Sequence, residues 1–326
     1  MQLVINTSTS PPFNLAMEEY FLVNKQEEVI MLWRNSSSVI IGYNQNAIEE
    51  IDTDYIKEHR IPVIRRQSGG GAVFHDLGNI NFSVIHALGE HDFSNYAKFT
   101  APICNFLQQL GVDARLQGRN DLTIDGMKFS GNAQAVKNGR IMHHGTILYN
   151  ANVEHLAGAL RPKPAKIESK GIKSVRSRIT NVADHLPEMM EAEAFYHRLA
   201  AYFLAENEGL TEYHLTTEDI SAVNRLVEEK YGRWEWNFGS SPKYNLSRSG
   251  CFPSGIVEVN LQVRQGQIED IHIYGDFFGT CDKAELEEAL TGVSHREETI
   301  RAALAGFDLP AYIHGITTEQ FMELLM

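Results

Sequence analysis

The chain is poor in cysteine and has no long apolar run. Its three cysteines, Cys104, Cys251 and Cys281, share no CxxC spacing, which excludes a disulfide framework or a cysteine metal cluster. So sparse a count fits a reducing compartment, and a cytoplasmic protein is expected. No apolar stretch approaches the roughly 20 residues needed to span a bilayer. The opening MQLVINTSTSPPFNLAMEEY also lacks the basic and apolar regions of a secretion signal, so no membrane role is expected. A basic balance is missing as well: a formal net charge of −13 argues against nucleic-acid binding, which requires a positive face. The apolar content of 43% is that of an ordinary globular protein. A chain of 326 residues can hold one large core or two domains.

The charge is unevenly spread. RPKPAKIESKGIKSVRSR, from Arg161 to Arg178, carries seven Lys/Arg against one Glu. It reads either as an anion site on an acidic body or as a solvated loop, and composition leaves both open.

Asn14–Asn24 has apolar residues in helical register, with Asn14 as N-cap. Val29–Trp33 and Ser38–Tyr43 read as strands, Asp52–His59 as a helix capped by Asp52 or Thr53, and Ile61–Ile64 as a strand entering the glycine-rich stretch. Asn79–Ile85 alternates like a half-buried strand, and Tyr96–Leu110 reads as a helix stopped by Gly111. Asp125-Gly126 predicts a two-residue hairpin between Asp121–Ile124 and Met127–Ala135, with Arg140–Tyr149 as the next strand. Helices are expected at Glu191–Asn207, Ser221–Tyr231, Lys283–Leu290 and Glu297–Leu304. A second hairpin joins Gly255–Arg264 to Gln267–Ile273 through Gln265-Gly266. Strands in runs, with helices clustered, give an α+β class rather than a doubly wound sheet. The pattern breaks over Trp234–Leu246, which places a boundary near residue 245 between a large domain, 1–245, and a small α+β domain, 246–326.

RRQSGGGAVFHD, from Arg65 to Asp76, is neither a P-loop nor a GxGxxG fingerprint. Its glycines leave backbone amides approachable, and Arg65 and Arg66 bring forked cationic donors, so the stretch can cradle an anion. A plain tight turn is the alternative. The second group is Gly118-Arg119-Asn120-Asp121 with Gly126-Met127-Lys128-Phe129-Ser130-Gly131-Asn132-Ala133. Strand alternation turns Lys128 away from Met127 and Phe129. The small residues around it clear either a ligand groove, where its ammonium would hold a carboxylate against a phosphate, or an exposed sheet edge. Asp121 suits Mg²⁺ as one hard oxygen ligand and equally suits a turn. His143 and His144 must face opposite sides of their strand, and His144, followed by Gly145, is the one expected to meet a ligand. No acyl nucleophile stands out: Ser68 is in no GxSxG elbow, and Cys104 lies in an apolar helix.

RRQSGGGAVFHDLGNINFS, GRNDLTIDGMKFSGNA, HHGTILYN and SKGIKSVRSRITN, in that order, resemble the lipoate–protein ligase A family within the biotin/lipoate ligase superfamily. The tail from YNLSRSGCFPSGIVEVNLQV to IYGDFFG resembles that family's small accessory domain. The resemblance implies a large mixed or antiparallel-sheet catalytic domain and two half-reactions. ATP, Mg²⁺ and lipoate give lipoyl-AMP, and an acceptor lysine then takes the lipoyl group. The implied acceptors are lipoyl domains of 2-oxoacid dehydrogenase E2 subunits or the glycine-cleavage H protein, and the enzyme is expected to be a monomer. Lys128 corresponds to the lysine that holds carboxylate and phosphate. Arg66, Ser68, Gly70, Gly71, Ala72, Val73, Phe74 and His75 correspond to the nucleotide and adenylate loop. Asn120 and Asp121 fall near the phosphates, with Asp121 as the metal ligand; Ser130, Gly131, Ala133 and His144 fall at the adenylate and acyl pocket. The basic segment corresponds to an adenylate-closing loop with Lys173 and Arg176 as contacts, and Gly239–Tyr244 to a hinge. Gln134 departs from the family, which often has Tyr there, and this bears on the acyl tunnel. An octanoyl or lipoyl transferase working without ATP would need a cysteine beside Lys128; a biotin ligase would need a GRGRRG-type loop. A non-catalytic scaffold is the remaining alternative.

Overall fold

Val29–Trp33 is five apolar residues long and all five are buried, so this strand is covered on both faces. Alternation divides it. Ile30 and Leu32 enter one core with Phe106 and Phe195, while Val29, Met31 and Trp33 enter another with Leu15 and Phe21. The computed structural model describes all residues except 46, 161–178, 239–245 and 265, and of 48, 49, 53 and 54 only the backbone. The predicted hinge and the basic segment, with Lys173 and Arg176, lie outside the described residues.

The strands are, in chain order, β1 (Gln2–Ile5), β2 (Val29–Trp33), β3 (Ser38–Ile41), β4 (Val63–Arg65), β5 (Val73–His75), β6 (Asn79–Ala87), β7 (Ala114–Gln117), β8 (Asp121–Ile124), β9 (Met127–Lys137), β10 (Arg140–Leu148), β11 (Thr211–Tyr213), β12 (Leu246–Phe252), β13 (Gly255–Arg264) and β14 (Gln267–Gly275). They form an eight-stranded mixed sheet in the order β11-β1-β2-β6-β10-β9-β8-β7, a small sheet β4-β3-β5 and a meander β12-β13-β14. Helices Tyr96–Gln109 and Ala192–Glu206 cover one face of the large sheet. Helix Pro11–Asn24 and the small sheet cover the other, through Leu15, Phe21, Ile40 and Ile64. The meander builds its own core, in which Val257, Leu261 and Ile273 pack on Leu286, Ile300 and Phe321. The α+β class follows from the sequence as expected.

Three local expectations change. The first helix starts at Pro11 with Ser10 as N-cap; proline suits the first turn, whose amides have no partner in the helix. Asn14 is not the cap but a fully buried hub. The stretch read as lacking pattern holds a helical turn, Trp234–Asn237. The hairpin turn forms as predicted, with Asp125 and Gly126 at φ 51° and 75°. A bulge lies opposite Leu122 and Thr123, however. The bulge breaks the alternation expected around Lys128: Met127 and Lys128 are both half-buried, whereas Phe129 and Ser130 are both fully buried. Among the described residues no helix is long and apolar enough to cross a membrane.

Candidate active site

The cleft lies between the loop leaving β4 and the surface of β9 and β10. The two arginines that open the loop do different work. Arg65 ends β4 and turns away from the cleft. Its guanidinium donates to the carbonyls of Gly42, Tyr43, Gln45, Trp236 and Asn237 at 2.7–3.2 Å. It fastens the loop to the chain around it and is not the anion contact suggested by the sequence. Arg66 points the other way and lines the cleft. Its Nε donates to Ser68 Oγ (3.0 Å), and its terminal nitrogens to the carbonyls of Ile40, Gly69 and Gly71. Burial pulls the Arg66 guanidinium down to about 10, so it stays charged at neutral pH. No carboxylate ion-pairs with it among the described residues, which leaves the cleft electropositive. Gly70 is required here: its φ is +91°, and a Cβ would lie 3.0 Å from Arg66 Nη2 and 3.1 Å from the Phe278 ring.

Lys128 stands on the opposite wall. Its Nζ lies 2.7 Å from Asp121 Oδ1, with the two side chains 38% and 33% exposed. This is a solvated, adjustable pair. Gly131 makes room for it, since a Cβ there would be 3.0 Å from Nζ. Asn120 and Asn132 clasp each other: Asn120 Nδ2 donates to Asn132 O at 2.5 Å and Asn132 Nδ2 to Asn120 O at 3.0 Å. Thr180 N–H donates to Lys128 O at 2.9 Å, so the chain resumes beside this lysine after the basic segment.

The histidines divide as the strand requires. His143 is buried and stacks on Phe99, with centroids 4.8 Å apart; burial, with His144 next to it, drives it well below the ordinary histidine range. His144 lines the cleft, with Nδ1 2.9 Å from Glu18 Oε1 and Nε2 2.6 Å from Ser68 Oγ. Glu18 also accepts from Ser83 Oγ at 2.5 Å, and Ser83 accepts from Trp33 Nε1 at 3.0 Å. Ser68 Oγ accepts the Arg66 N–H and at the same time shares a hydrogen bond with His144 Nε2. One polar chain thus ties the first helix, β2, β6, β10 and the glycine loop together. On β5, Val73 and His75 face the cleft, whereas Phe74 points into the small-sheet core with Val39 and Ile41.

Of the residues singled out in the sequence, Arg66, Gly70, Gly71, Ala72, Val73, His75, Asn120, Lys128, Gly131, Ala133 and His144 share this one cleft. Ser68, Phe74 and Ser130 are buried behind its surface, and Asp121 reaches it through Lys128. Gln134 faces away from it, accepting from Ser94 N–H at 2.7 Å and anchoring the loop before the Tyr96 helix. Sequence reasoning missed Leu15, Trp33, Ile40 and Asn81 in the wall, and Glu18 beneath it. Glu18-Glu19 inside a helix of apolar face was the available signal, since both are buried. The small domain reaches the loop, where a Cβ at Gly69 would run into Phe277 O and one at Gly70 would lie 3.1 Å from the Phe278 ring. It also reaches the loop's neighbours: Arg119 lies 4.6 Å over the Phe278 ring, and Gly275 N–H donates to Asn44 O at 2.7 Å.

Residues 10–204 match the family described as lipoyl protein ligase A/B catalytic domain, and 241–325 the bacterial lipoate protein ligase C-terminus. Over 319 residues the chain is 44% identical to lipoate-protein ligase LplJ of Bacillus subtilis, covering 97% of this chain and 96% of that one. Among solved structures, P. falciparum LipL1 in complex with lipoate superposes with a TM-score of 0.74 at 26% identity, covering 94% of both chains. A lipoate-protein ligase A bound with ATP superposes with a TM-score of 0.63 at 30% identity, covering 73% of this chain and 98% of that one. A bipartite ligase from Thermoplasma acidophilum, described with its E2 lipoyl domain, gives a TM-score of 0.65 at 31% identity over 75% and 98% of the two chains. The chain belongs to the lipoate–protein ligase family.

Proposed function

We infer that this chain is an ATP-dependent lipoate–protein ligase and that the cleft described above is its adenylation site. The carrying observation is the pairing of two unlike walls. Leu15, Trp33, Ile40 and Val73 belong to one apolar cluster, while Arg66 and Lys128 supply positive charge to the same cleft. Such a site fits a substrate with an apolar chain ending in a carboxylate. A lipoate carboxylate oxygen attacks the α-phosphorus of ATP, the bond to the pyrophosphate oxygen breaks, and lipoyl-AMP forms. Lys128 is the catalytic residue of this step. Its ammonium holds the carboxylate against the phosphate and stabilises the charge that grows there. The acceptor ε-amine then attacks the acyl carbonyl, the bond to AMP breaks, and an amide forms with loss of a proton.

Mg²⁺ needs few protein ligands when phosphates supply the rest. Asp121, a third exposed and paired only with a mobile ammonium among the described residues, fits such a role. It would hold the ion, which neutralises phosphate charge when bound. Lys173 and Arg176 would close over the adenylate, and their segment would receive an acidic acceptor. The acceptors in this reading are E2 lipoyl domains and glycine-cleavage H protein, the enzyme is a cytoplasmic monomer, and residues 1–245 and 246–326 are its catalytic and accessory domains. ATP-free acyl transfer is disfavoured because no cysteine lines the cleft among the described residues, and burial pushes the Cys104 thiol up to about 11. The test is the mass of an apo lipoyl domain incubated with enzyme and lipoate. Lipoylation only with Mg·ATP is expected; acyl transfer from an octanoylated carrier without ATP would overturn the assignment.

A further inference from the structure

Five buried side-chain atoms lack a hydrogen-bond partner among the described residues, and His75 Nε2 is the one whose residue lines the cleft. His75 is only 3% exposed. A buried ring nitrogen with nothing to bond, on a residue that lines a ligand cleft, is costly unless a ligand completes it. Whether that nitrogen carries a proton is settled by a chain of amides anchored to backbone groups, whose donor and acceptor roles are unambiguous.

Ser8 N–H donates to Asn6 Oδ1 at 3.1 Å, so the Asn6 amide nitrogen faces Asn14 and donates to its Oδ1 at 2.6 Å. Asn14 Nδ2 then faces three acceptors with its two hydrogens, one of them shared: the carbonyls of Ser8 (3.0 Å) and Arg34 (2.9 Å) and Asn35 Oδ1 (2.8 Å). A nitrogen that can only donate must meet an oxygen of Asn35. That orients Asn35 with its nitrogen toward His75, where Nδ2 lies 3.1 Å from Nδ1. A ring nitrogen that accepts carries no proton, and a neutral imidazole must then hold its proton at Nε2. Asn14 and Asn35 are both fully buried, so water does not compete for these bonds.

We propose that Asn35 is a positioning residue that keeps His75 in the Nε2–H form, presenting a fixed neutral N–H donor to an oxygen of the acyl-adenylate. This rests on the reading of the cleft as an adenylation site. Burial, with Arg66 and His144 adding to it, holds His75 down to about 3, so near neutral pH the ring neither charges nor surrenders its donor. Lys128 can follow a moving negative charge; His75 can only wait at one point. A donor already in place needs no reorganisation when charge develops.

The experiment is a two-bond ¹H–¹⁵N spectrum of the full chain labelled at histidine, at pH 7, with His75 assigned by its loss in His75→Gln. The expected spectrum has a protonated Nε2 and an unprotonated Nδ1. Asn35→Asp offers Nδ1 an acceptor, so the proton moves to Nδ1, and lipoate-dependent pyrophosphate release should fall about tenfold in kcat/KM, the size of one lost hydrogen bond. The terminal amide of a glutamine reaches the Nε2 position, so His75→Gln should recover part of the rate that His75→Asn loses. An Nδ1–H tautomer in the unmodified chain overturns the proposal, and so does a moved proton in Asn35→Asp with an unchanged rate. If the unmodified chain releases no pyrophosphate, the adenylation reading is what fails, and the spectrum still decides the tautomer.

Discussion

On the loop wall of the cleft, Arg66 is buried and its donors are held by Ser68 and three carbonyls. On the sheet wall, Lys128 and Asp121 are a third or more exposed and hold each other. Both walls carry positive charge, but only one of them can move. The loop wall is a fixed field whose geometry exists before any ligand arrives, held from behind by the Glu18–His144–Ser68 chain. The sheet wall is an ion pair that solvent weakens, so its ammonium is free to exchange a carboxylate of the protein for one of the substrate. The fixed wall should therefore answer to mutation chiefly as stability, with smaller losses of rate, and the movable wall as rate alone.

The largest expected effect is on rate. Lys128→Ala should lower adenylate formation by about a thousandfold or more, roughly 4 kcal/mol of transition-state stabilisation. Unfolding in urea should shift by less than about 0.5 kcal/mol, as for an exposed side chain. Arg66→Met should act on both, with the larger effect on stability, since its charge also serves the cleft. It strands the Gly69, Gly71 and Ile40 carbonyls and should cost about 3–5 kcal/mol in urea unfolding. An Arg66→Met chain of normal stability would erase the contrast between the walls.

The dry loop wall also has a pH signature. His75 is held at about 3 when folded, against an ordinary value of 6.5. Between those values the unfolded chain binds a proton that the folded chain refuses, so stability falls as pH drops from 6.5 toward 3. The slope from this one group is about 1.4 kcal/mol per pH unit. Its contribution is fully present above pH 6.5; burial is the main cause, and the Arg66 guanidinium adds to it. His75→Gln should flatten the denaturation profile by one proton, whereas a change in Lys128 should leave that slope alone. Last, Asp121→Asn should raise the Mg²⁺ concentration needed for half-maximal adenylation about tenfold. An unchanged requirement would leave Asp121 as a partner of Lys128 alone.

Much of this was legible from local pattern. Val29–Trp33, Gly255–Arg264 and Glu297–Leu304 form over the residues that periodicity marked. The split of His143 from His144 also follows directly from alternation. The same rule applied one step earlier separates Arg65 from Arg66, since neighbours at a strand end face opposite ways; treating the pair as one cationic patch overlooked it. The bulge at Lys128 was not legible, because it depends on how two strands pair and not on either alone. Nor were the partners of Glu18, Trp33 and Asn35, although the Glu18-Glu19 pair in an apolar helix was itself a signal. Each lies 40 or more residues from its partner, as in His144–Glu18, Trp33–Ser83 and Asn35–His75, and only folding brings them together. Glu18 and Trp33 sit in runs that read as apolar core, and Asn35 in a polar turn, RNSSS.

The most direct test of the central claim uses no acceptor. Enzyme, lipoate and Mg·ATP are mixed in a single turnover, and pyrophosphate and bound lipoyl-AMP are both counted. The account predicts a burst of one pyrophosphate per chain with one lipoyl-AMP retained, absent in Lys128→Ala and delayed but complete in Asp121→Asn at high Mg²⁺. A full burst from Lys128→Ala, or no lipoyl-AMP from the unmodified chain, would contradict it.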